Sequence, residues 1–271
     1  MSKLNISYII DIQGPGSVQF INQLFCSVQS LKENKRPEDE IDLYILYANS
    51  PAEVVAKLNN FNESGFKVIL ENIPQNELHR LQTFSKHNPQ GMVRAWSGIV
   101  YARIFLPLYL KKYNLDKILY LDIDTLIRGS LHELYETSLE DNYYGMVMGI
   151  VPEYGYNSGV MVMNFEKFYS LSEDETKLLW TSLDEHMKKY ARNYFCPDQT
   201  VINRFFSNSI KPLDFKYNYP PCPGSMGSDY DMLMNKAIIW HFYNQQVKPL
   251  KFDDQGLALV EWNKVLNSVK V

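Results

Sequence analysis

Short apolar segments and segments with helical spacing alternate along the 271-residue chain. This alternation is typical of an α/β fold with a mainly parallel sheet, because parallel strands need a helical crossover between them. The first three predicted strands are Ile6–Asp11, Ile41–Ala48 and Phe66–Leu70. Open α/β sheets bind ligands beyond the carboxyl ends of their strands, so residues that follow the apolar segments are the first candidates for function.

The rest of the chain continues this alternation. Further strands are predicted at Lys117–Asp124, Tyr144–Ile150, Val160–Asn164 and Ala237–His241. Helices are predicted over Val18–Leu31, from Ser50-Pro51, over Val93–Leu110, from the capping box Ser172–Glu175 to about Ala191, after Pro197 and at the C-terminus. Residues 72–91 are polar and without a clear period, which predicts a long irregular loop.

Composition favours one compact domain over residues 1–271. The chain is 45% hydrophobic and contains no linker or internal repeat. A formal charge of −4 with scattered Lys and Arg gives no basic surface for nucleic acid, and no run approaches membrane-spanning length. The three cysteines lack Cys-x-x-Cys spacing, which indicates structural thiols, and the start of the chain lacks an apolar signal core. We therefore expect a cytoplasmic protein.

Two aspartates end the apolar run Lys117–Asp124. Unpaired charge on a buried strand costs several kcal/mol, so such carboxylates usually hold a cation or a counter-charge. Alternate residues of a strand face the same way, so Asp122 and Asp124 should point together while Ile123 points away. Two converging oxygen ligands indicate a hard divalent cation and, through it, a phosphate-bearing substrate.

One histidine stands apart from the other four. His241 ends an apolar strand, whereas the other histidines lie in polar surroundings typical of a surface. Two carboxylates and one imidazole suit Mn²⁺ better than a site ligated only by oxygen, with Mg²⁺ as the alternative metal.

Five blocks then resemble glycosyltransferase family 8, the retaining GT-A-fold group that includes glycogenin and bacterial lipopolysaccharide galactosyltransferases. The blocks are Tyr101–Arg103, Leu119–Leu126, Tyr156–Val160, Pro197–Gln199 and His241–Pro249, in the family's order. The resemblance implies a single GT-A domain, with residues 1–124 as the nucleotide-binding half and residues 125–271 as the half that binds sugar and acceptor.

The resemblance also implies roles for individual residues. Asp122, Asp124 and His241 would ligate the metal, and Asp122 would also contact the donor ribose. Arg103 would contact the donor phosphate or sugar. Lys248 would contact the diphosphate, a chemically sensible use of a point charge.

The remaining implied roles concern the two ends of the donor. Asp11 lies where the family binds uracil or ribose. Asp198 and Gln199 match the pair that touches the transferred sugar, with Gln199 nearest the reacting face. The residues that would line the donor-sugar site are Asn157, Ser158 and Gly159, where glycine allows close backbone approach.

Each motif alone also has a structural interpretation. Asp198-Gln199 can simply open a helix, because Asp stabilises a helix N-terminus. Asn157-Ser158-Gly159 is an ordinary turn string, and Arg103 fits a helix arginine whose stem covers apolar surface. Trp96, Tyr101 and Phe105 are better explained as core residues than as stacking platforms.

The chain departs from the family's pattern in two places. Asn244 stands where the closing block usually has Gly, Lys248 comes seven rather than six residues after His241, and Leu250 replaces a Trp. After the strand at residues 145–151, Glu153 is the nearest carboxylate to the position of an acidic residue that grips donor hydroxyls.

The motifs together predict a metal-dependent retaining transfer of a hexose, glucose or galactose, from a UDP-sugar to a hydroxyl acceptor on a glycan or protein. A homodimer is a further hypothesis. A haloacid-dehalogenase-like phosphatase would use Asp122 and Asp124 as nucleophile and acid, but its pattern wants Thr or Val where Leu126 stands. An inactive UDP-sugar-binding homologue is the third hypothesis. Residues 70–92 and 217–230 are the predicted acceptor-binding segments.

Overall fold

The computed structural model describes residues 2–12, 17–86, 98–190, 196–221, 230–243 and 257–269. The strands in these ranges are β1 (Ser2–Asp11), β2 (Asp39–Ala48), β3 (Phe66–Asn72), β4 (Lys117–Leu121), β5 (Thr125–Ile127), β6 (Tyr144–Met148), β7 (Tyr156–Asn164), β8 (Ile210–Pro212) and β9 (Ile239–His241). The helices are α1 (Ser17–Asn34), α2 (Ala52–Asn59), α3 (Gln75–Lys86), α4 (Leu106–Tyr109), α5 (His132–Glu136), α6 (Phe165–Tyr169), α7 (Glu173–Tyr190), α8 (Pro197–Phe205), α9 (Tyr230–Lys236) and α10 (Leu257–Ser268).

Seven of these strands form one sheet in the order β3-β2-β1-β4-β7-β6-β8. The pairs β3–β2, β2–β1, β1–β4 and β6–β8 are parallel, and β7 is antiparallel to both β4 and β6. The predicted α/β fold with a mainly parallel sheet is therefore confirmed. The chain leaves β1 toward β2 on one side and returns as β4 on the other, which makes the β1–β4 boundary a topological switch point.

Apolar side chains cover both faces of the sheet, as they do in parallel sheets that helices flank. Along β4, Leu119 and Leu121 pack in the core on one face, while Ile118 and Tyr120 pack on the other. This two-residue alternation is the strand period. Helix α1 covers the Leu119 face with apolar side chains at helical spacing, namely Leu24, Phe25, Val28 and Leu31.

Several predicted element ends are confirmed. The capping box forms as predicted, because Ser172 and Glu175 exchange hydrogen bonds before α7. Helix α8 begins at Pro197 with Asp198 in its first turn. The helix predicted from Ser50-Pro51 begins one residue later, with Pro51 as its N-cap.

Two predictions between β3 and β4 are wrong. The loop predicted over residues 72–91 contains helix α3, whose stripe of Leu78, Leu81 and Phe84 is buried in the core. The helix predicted over residues 93–110 is instead a 3₁₀ helix over Gly98–Phe105 followed by the short α4. Pro107 in the first turn of α4 explains the break, because proline cannot donate the hydrogen bond that would continue one helix. Residues 87–97, with Trp96, lie outside the described ranges.

Four of the later predicted strands differ at their ends. Strand β4 stops at Leu121, so the two aspartates stand in the turn that follows it rather than on the strand. Strand β7 begins at Tyr156 rather than Val160. Strands β6 and β9 are shorter than predicted, ending at Met148 and beginning at Ile239 respectively.

Candidate active site

A cavity of about 270 Å³ opens at the carboxyl ends of β1 and β4. The predicted site residues that line it are Asp11, Arg103, Asp122, Asp124, Asn157, Ser158, Asp198, Gln199 and His241. Gly159 borders it, since a Cβ at this position would lie 2.7 Å from Asp122 Oδ2. Lys248 lies outside the described residues. Segments far apart in sequence therefore converge on one cavity at the switch point of the sheet.

The two aspartates and His241 form one cluster in the wall of this cavity. One ligand atom from each of the three lies within 4.8 Å of the others. His241 Nε2 is 3.2 Å from Asp124 Oδ1 and 3.5 Å from Asp122 Oδ2. The side chains converge as predicted, although the backbone that carries the aspartates is a turn.

A small antiparallel ribbon brings the histidine to the aspartates. Strand β5 follows the Asp-x-Asp turn directly and pairs with β9, with Thr125 opposite His241. The Thr125 hydroxyl donates to the Asp122 carbonyl at 2.8 Å and lies 2.8 Å from Ser27 Oγ, which fastens the turn to helix α1. The position of the turn is thus set by buried hydrogen bonds.

The surroundings of His241 fit a cation. The side chain is 1% exposed, and its Nε2 has no hydrogen-bond partner among the described residues even though it faces two carboxylates. Burial lowers the pKa of His241, but Asp124 and Asp122 outweigh burial and raise it above its ordinary value. A ring nitrogen held between two carboxylates with no hydrogen bond of its own is the arrangement a metal ligand needs.

Gly159 is required by this packing. A Cβ on Gly159 would lie 2.0 Å from His241 Cε1. A main-chain hydrogen bond also links the two segments, since the Asp122 N–H donates to the Gly159 carbonyl at 2.7 Å. Glycine at this position therefore lets His241 close on the aspartates.

Arg103 holds Asp122 from the other side. Its guanidinium forms a two-pronged ion pair with Asp122, with Nη2 to Oδ1 at 2.9 Å and Nη1 to Oδ2 at 3.2 Å. Burial raises the pKa of Asp122, but Arg103 and then His241 outweigh burial and hold the pKa below its ordinary value. Arg103 is only 9% exposed, so the interpretation of it as a surface helix arginine is wrong.

The strand β7 and the helix α8 form the opposite wall. Asn157 and Ser158 lie on β7, so their interpretation as a turn is wrong. Asp198 Oδ2 accepts from the Ser158 hydroxyl at 3.2 Å and lies 3.3 Å from Arg103 Nε. Burial raises the pKa of Asp198 even though Arg103 opposes it. Asp198 therefore both opens helix α8 and belongs to the cavity wall.

Asp11 lies at the β1 side of the cavity. Its Oδ1 accepts from Asn49 Nδ2 at 3.3 Å, and its Oδ2 is buried with no hydrogen-bond partner among the described residues. Asn49 has a positive φ of 50° and is itself held by Gln75. The structure therefore places a carboxylate with an unused oxygen at the side of the cavity away from β7.

Sequence reasoning missed some residues of the site. The Tyr120 hydroxyl donates to Asp122 Oδ1 at 2.6 Å. Tyr120 lies two residues before Asp122, so the alternation of residues along a strand could have predicted that both side chains face the same way. Asn218 Oδ1 lies 2.8 Å from His241 Nδ1. It carries no local signal, because the backbone bridge between Tyr219 and Trp240 is what brings it there.

The core interpretation of two aromatic residues is confirmed. Tyr101 and Phe105 are almost fully buried and belong to the core cluster on one face of the sheet. They lie on the same 3₁₀ helix as Arg103 and pack in the core, and neither is among the residues that line the cavity.

The charge of the cavity is unbalanced. Its described lining includes four carboxylates, while Arg103 is the one Lys or Arg among those residues. Burying like charges together is costly unless a counter-charge is present. Two carboxylates and an imidazole that converge in such a cavity can hold a divalent cation, and the remaining space can hold the anionic groups such a cation attracts.

The fold and the site therefore define an α/β protein with a candidate divalent-cation site at its switch point. The sequence matches the family described as Glycosyl transferase family 8 over residues 16–252, and the chain belongs to this family.

Known relatives agree with this assignment. Glycosyltransferase GlyE of Streptococcus pneumoniae is 23% identical over 273 residues, which cover 93% of this chain and 61% of GlyE. A lipopolysaccharide 1,2-glucosyltransferase of Escherichia coli K12 is 25% identical, with 79% of this chain and 62% of the relative covered. The chain thus spans about three fifths of the length of these two proteins.

A solved structure supports the fold. The galactosyltransferase LgtC, in complex with donor and acceptor sugar analogs, superposes with a TM-score of 0.73 at 21% identity, over 99% of this chain and 97% of LgtC. The predicted GT-A architecture is therefore confirmed. Among the helices of the described ranges, none combines the length and apolar character that crossing a lipid bilayer requires.

Proposed function

We propose that this protein is a metal-dependent, retaining glycosyltransferase that moves a hexose from a UDP-sugar to a hydroxyl acceptor. The observation that carries the proposal is the convergence of Asp122, Asp124 and His241 in the wall of a cavity at the switch point. Family membership supports sugar transfer as the reaction. Glucose and galactose are the proposed sugars, because similar proteins are named as a glucosyltransferase and a galactosyltransferase.

Mn²⁺ is the proposed metal, with Mg²⁺ as the alternative. Asp122, Asp124 and His241 would hold it, because their mixture of oxygen and nitrogen donors suits Mn²⁺. The bound cation would act as a Lewis acid that stabilises negative charge on the departing diphosphate. Lys248 is proposed to assist the same charge.

The residues around the cation have complementary proposed roles. Arg103 pairs with Asp122 and also lies beside Asp198, so its single positive charge lets these two acidic groups stand close together in one cavity. Asp11 offers its unused oxygen to the donor's base or ribose. The β1 side of the cavity, within residues 1–124, is thus the proposed nucleotide half, and the β7 side, within residues 125–271, is the proposed half for sugar and acceptor.

The sugar end is proposed to lie against β7 and α8. Asn157, Ser158 and Gly159 would line it, and Gln199 would stand nearest the reacting carbon, with Asp198 beside it. Asp198 is already bonded to Ser158 and paired with Arg103, so it is poorly free to attack as a nucleophile. We therefore favour attack by the acceptor on the face that the leaving diphosphate occupies.

A donor panel tests the proposal most economically. The full-length protein is mixed with UDP-glucose, UDP-galactose, other UDP-sugars and GDP-sugars, with Mn²⁺ or Mg²⁺, and released nucleoside diphosphate is measured. We expect Mn²⁺-dependent release of UDP from UDP-glucose or UDP-galactose, lost in Asp124→Asn. Binding of UDP without release from any donor would favour the inactive homologue. Release of phosphate from simple phosphoesters would favour the phosphatase, which has less support because both oxygens of Asp122 are engaged by Arg103.

The acceptor, assembly and location are proposed on less direct grounds. A glycan or protein hydroxyl is the proposed acceptor, bound by the segments at residues 70–92 and 217–230. Part of the first segment is helix α3, and residues 222–229 lie outside the described ranges. A cytoplasmic location and a homodimer remain proposals, which fractionation and the solution mass would test.

A further inference from the structure

A chain of side-chain amides runs along the cavity wall from His241 to Gln199. Asn218 Oδ1 lies 2.8 Å from His241 Nδ1, and Asn218 Nδ2 donates to Asn157 Oδ1 at 2.9 Å. Asn157 Nδ2 in turn donates to Gln199 Oε1 at 3.1 Å. The chain thus connects a candidate metal ligand with the residue proposed to stand nearest the reacting sugar.

Main-chain groups fix the direction of every bond in this chain. The Gly159 N–H, which can only donate, gives its hydrogen to Asn157 Oδ1 at 3.0 Å. Asn157 must therefore turn its Nδ2 toward Gln199. At the far end the Tyr154 carbonyl can only accept, and it accepts from Gln199 Nε2 at 3.0 Å. The two carboxamides of Asn157 and Gln199 consequently have one satisfying orientation each.

The same hydrogen bonds determine which ring nitrogen of His241 carries a proton. Because Asn157 Oδ1 is an acceptor, Asn218 must present Nδ2 to it and Oδ1 to the histidine. Asn218 Oδ1 can only accept, so His241 Nδ1 carries a proton. In the neutral ring the lone pair is then on Nε2, the nitrogen that faces Asp122 and Asp124.

The fold holds Asn218 firmly in this position. The residue follows the 3₁₀ helix Phe215–Tyr217 and is 2% exposed. Its neighbour Tyr219 is bonded on both sides to β9, since Tyr219 N donates to the Ile239 carbonyl at 3.0 Å and Tyr219 O accepts from His241 N at 2.8 Å. Asn218 therefore moves with the strand that carries the histidine.

We infer that Asn218 is a positioning residue that serves two groups at once. It holds His241 with the Nε2 lone pair toward the two aspartates, and through Asn157 it orients the carboxamide of Gln199. The part that concerns Gln199 rests on the proposed function, whereas the part that concerns His241 requires only that the site bind a divalent cation. The two parts can therefore be tested separately.

The first test uses Mn²⁺ alone as the probe and measures free Mn²⁺ by electron paramagnetic resonance with the full-length protein. Asn218→Ala should weaken Mn²⁺ binding by about 10- to 100-fold, the usual effect of losing an outer-shell partner of a metal-ligating histidine. Asn218→Asp should bind Mn²⁺ much as the unaltered protein does, because a carboxylate still accepts from Nδ1. Asn34→Ala is the matched control, since Asn34 also makes two side-chain hydrogen bonds but lies away from the cavity.

The second test is spectroscopic and needs neither metal nor substrate. In the histidine ¹⁵N spectrum of the neutral ring, His241 should carry its proton on Nδ1, and Asn218→Ala should shift that proton toward Nε2. Unchanged Mn²⁺ affinity together with an unchanged tautomer in a folded Asn218→Ala variant would overturn the proposal for His241. If Asn218→Ala does not fold, Asn218→Asp with a proton on Nε2 would overturn it equally.

The third test concerns Gln199. Asn218→Asp cannot donate to Asn157, so its turnover of donor with saturating Mn²⁺ should fall about tenfold, which corresponds to about 1.4 kcal/mol. Turnover at the unaltered rate would overturn the link to Gln199 and leave the Mn²⁺ result standing. If neither protein turns over any donor, the proposed function has failed, and the Mn²⁺ and ¹⁵N results still decide the role of Asn218 toward His241.

Discussion

Two clusters in this molecule combine an arginine, an aspartate and a histidine. The cavity cluster contains Arg103, Asp122 and His241, and the β2 cluster contains Arg36, Asp39 and His132. The cavity cluster lies at the carboxyl end of β4, whereas the β2 cluster lies at the amino end of the parallel strand β2. The same three residue types therefore occur at opposite ends of one sheet.

The β2 cluster is balanced. Arg36 Nη2 and Nε donate to the two oxygens of Asp39 at 2.9 and 3.1 Å, and His132 Nδ1 lies 3.2 Å from Asp39 Oδ1. The Asp39 carboxylate, 1% exposed, is neutralised by the Arg36 guanidinium, whose Nη2 also lies 2.7 Å from His132 Nδ1 and whose Nε lies 3.3 Å from the exposed Glu38 Oε1. The cluster needs no further ion.

The cavity cluster is unbalanced. Asp124 and Asp198 add two carboxylates to the one that Arg103 already neutralises. These groups also line a cavity. The comparison teaches that residue types do not distinguish a binding site from a structural ion pair. What distinguishes the binding site is an excess of charge of one sign beside a cavity at the carboxyl ends of the strands.

Asp124→Asn should have the largest effect on activity and little effect on stability. It removes a proposed metal ligand, and a Lewis acid supplies several kcal/mol to such a reaction, so Mn²⁺-dependent UDP release should fall by about a thousandfold or more. Its melting temperature should change little, because the lost contact between Asp124 and His241 is offset by relief of the repulsion between Asp124 and Asp122. Asp39→Asn, the matched control at the β2 cluster, should keep its turnover. Equal loss of activity in both variants would break the comparison.

Gly159→Ala should act on the metal site through sterics alone. The new Cβ would lie 2.0 Å from His241 Cε1, so the ring must move away from the aspartates. We expect Mn²⁺ affinity to fall by about 100-fold, or about 2.7 kcal/mol. Isothermal titration with Mn²⁺ measures this, with Gly129→Ala as a control that meets only an isoleucine side chain. Unchanged affinity would show that His241 does not ligate the metal.

Asp39→Asn should act on stability alone. Removing one partner of a buried ion pair is destabilising, and Arg36 is partly exposed, so we expect a loss of about 2 kcal/mol in the free energy of unfolding. Urea unfolding at pH 7 measures it. A stable Asp39→Asn variant would mean that the β2 cluster is not a structural ion pair.

The smallest expected effect is the pH dependence of the difference in free energy of unfolding between the unaltered protein and Asp39→Asn. Burial raises the pKa of Asp39, but Arg36 and then His132 outweigh burial and hold the pKa below its ordinary value. A carboxyl with a lowered folded pKa contributes its stability above the unfolded pKa of about 4 and loses it as pH falls through the folded pKa. The stability gap between the unaltered protein and Asp39→Asn should therefore shrink between pH 5 and pH 3. A gap that stays constant would contradict this linkage.

The sequence predicts the cavity cluster better than it predicts the backbone beneath it. Asp122, Asp124 and His241 end apolar segments, and the carboxyl ends of such segments meet at one edge of the sheet. The alternation of residues along a strand predicted that the two aspartates point the same way. They do converge, but this reason does not apply, because they stand in a turn after the strand. Convergence there comes from the β5–β9 ribbon, a contact between residues more than 100 positions apart.

The remaining misses have physical causes of the same kind. Helix α3 escaped detection because its apolar stripe is narrow and its other positions are polar. Asn218 escaped because a buried amide has no sequence pattern and depends on which strand its segment pairs with. The Asn218 contact, unlike the α3 stripe, cannot be read from local spacing.

The central claim is that Asp122, Asp124 and His241 hold one divalent cation that binds the diphosphate of a nucleotide sugar. Crystals of the full-length protein grown with Mn²⁺ and UDP, measured at the manganese absorption edge, test it directly. We expect one anomalous peak in contact with all three side chains and with the UDP phosphates, and no such peak in Asp124→Asn. Manganese bound elsewhere, or UDP bound in the cavity without manganese, would contradict it.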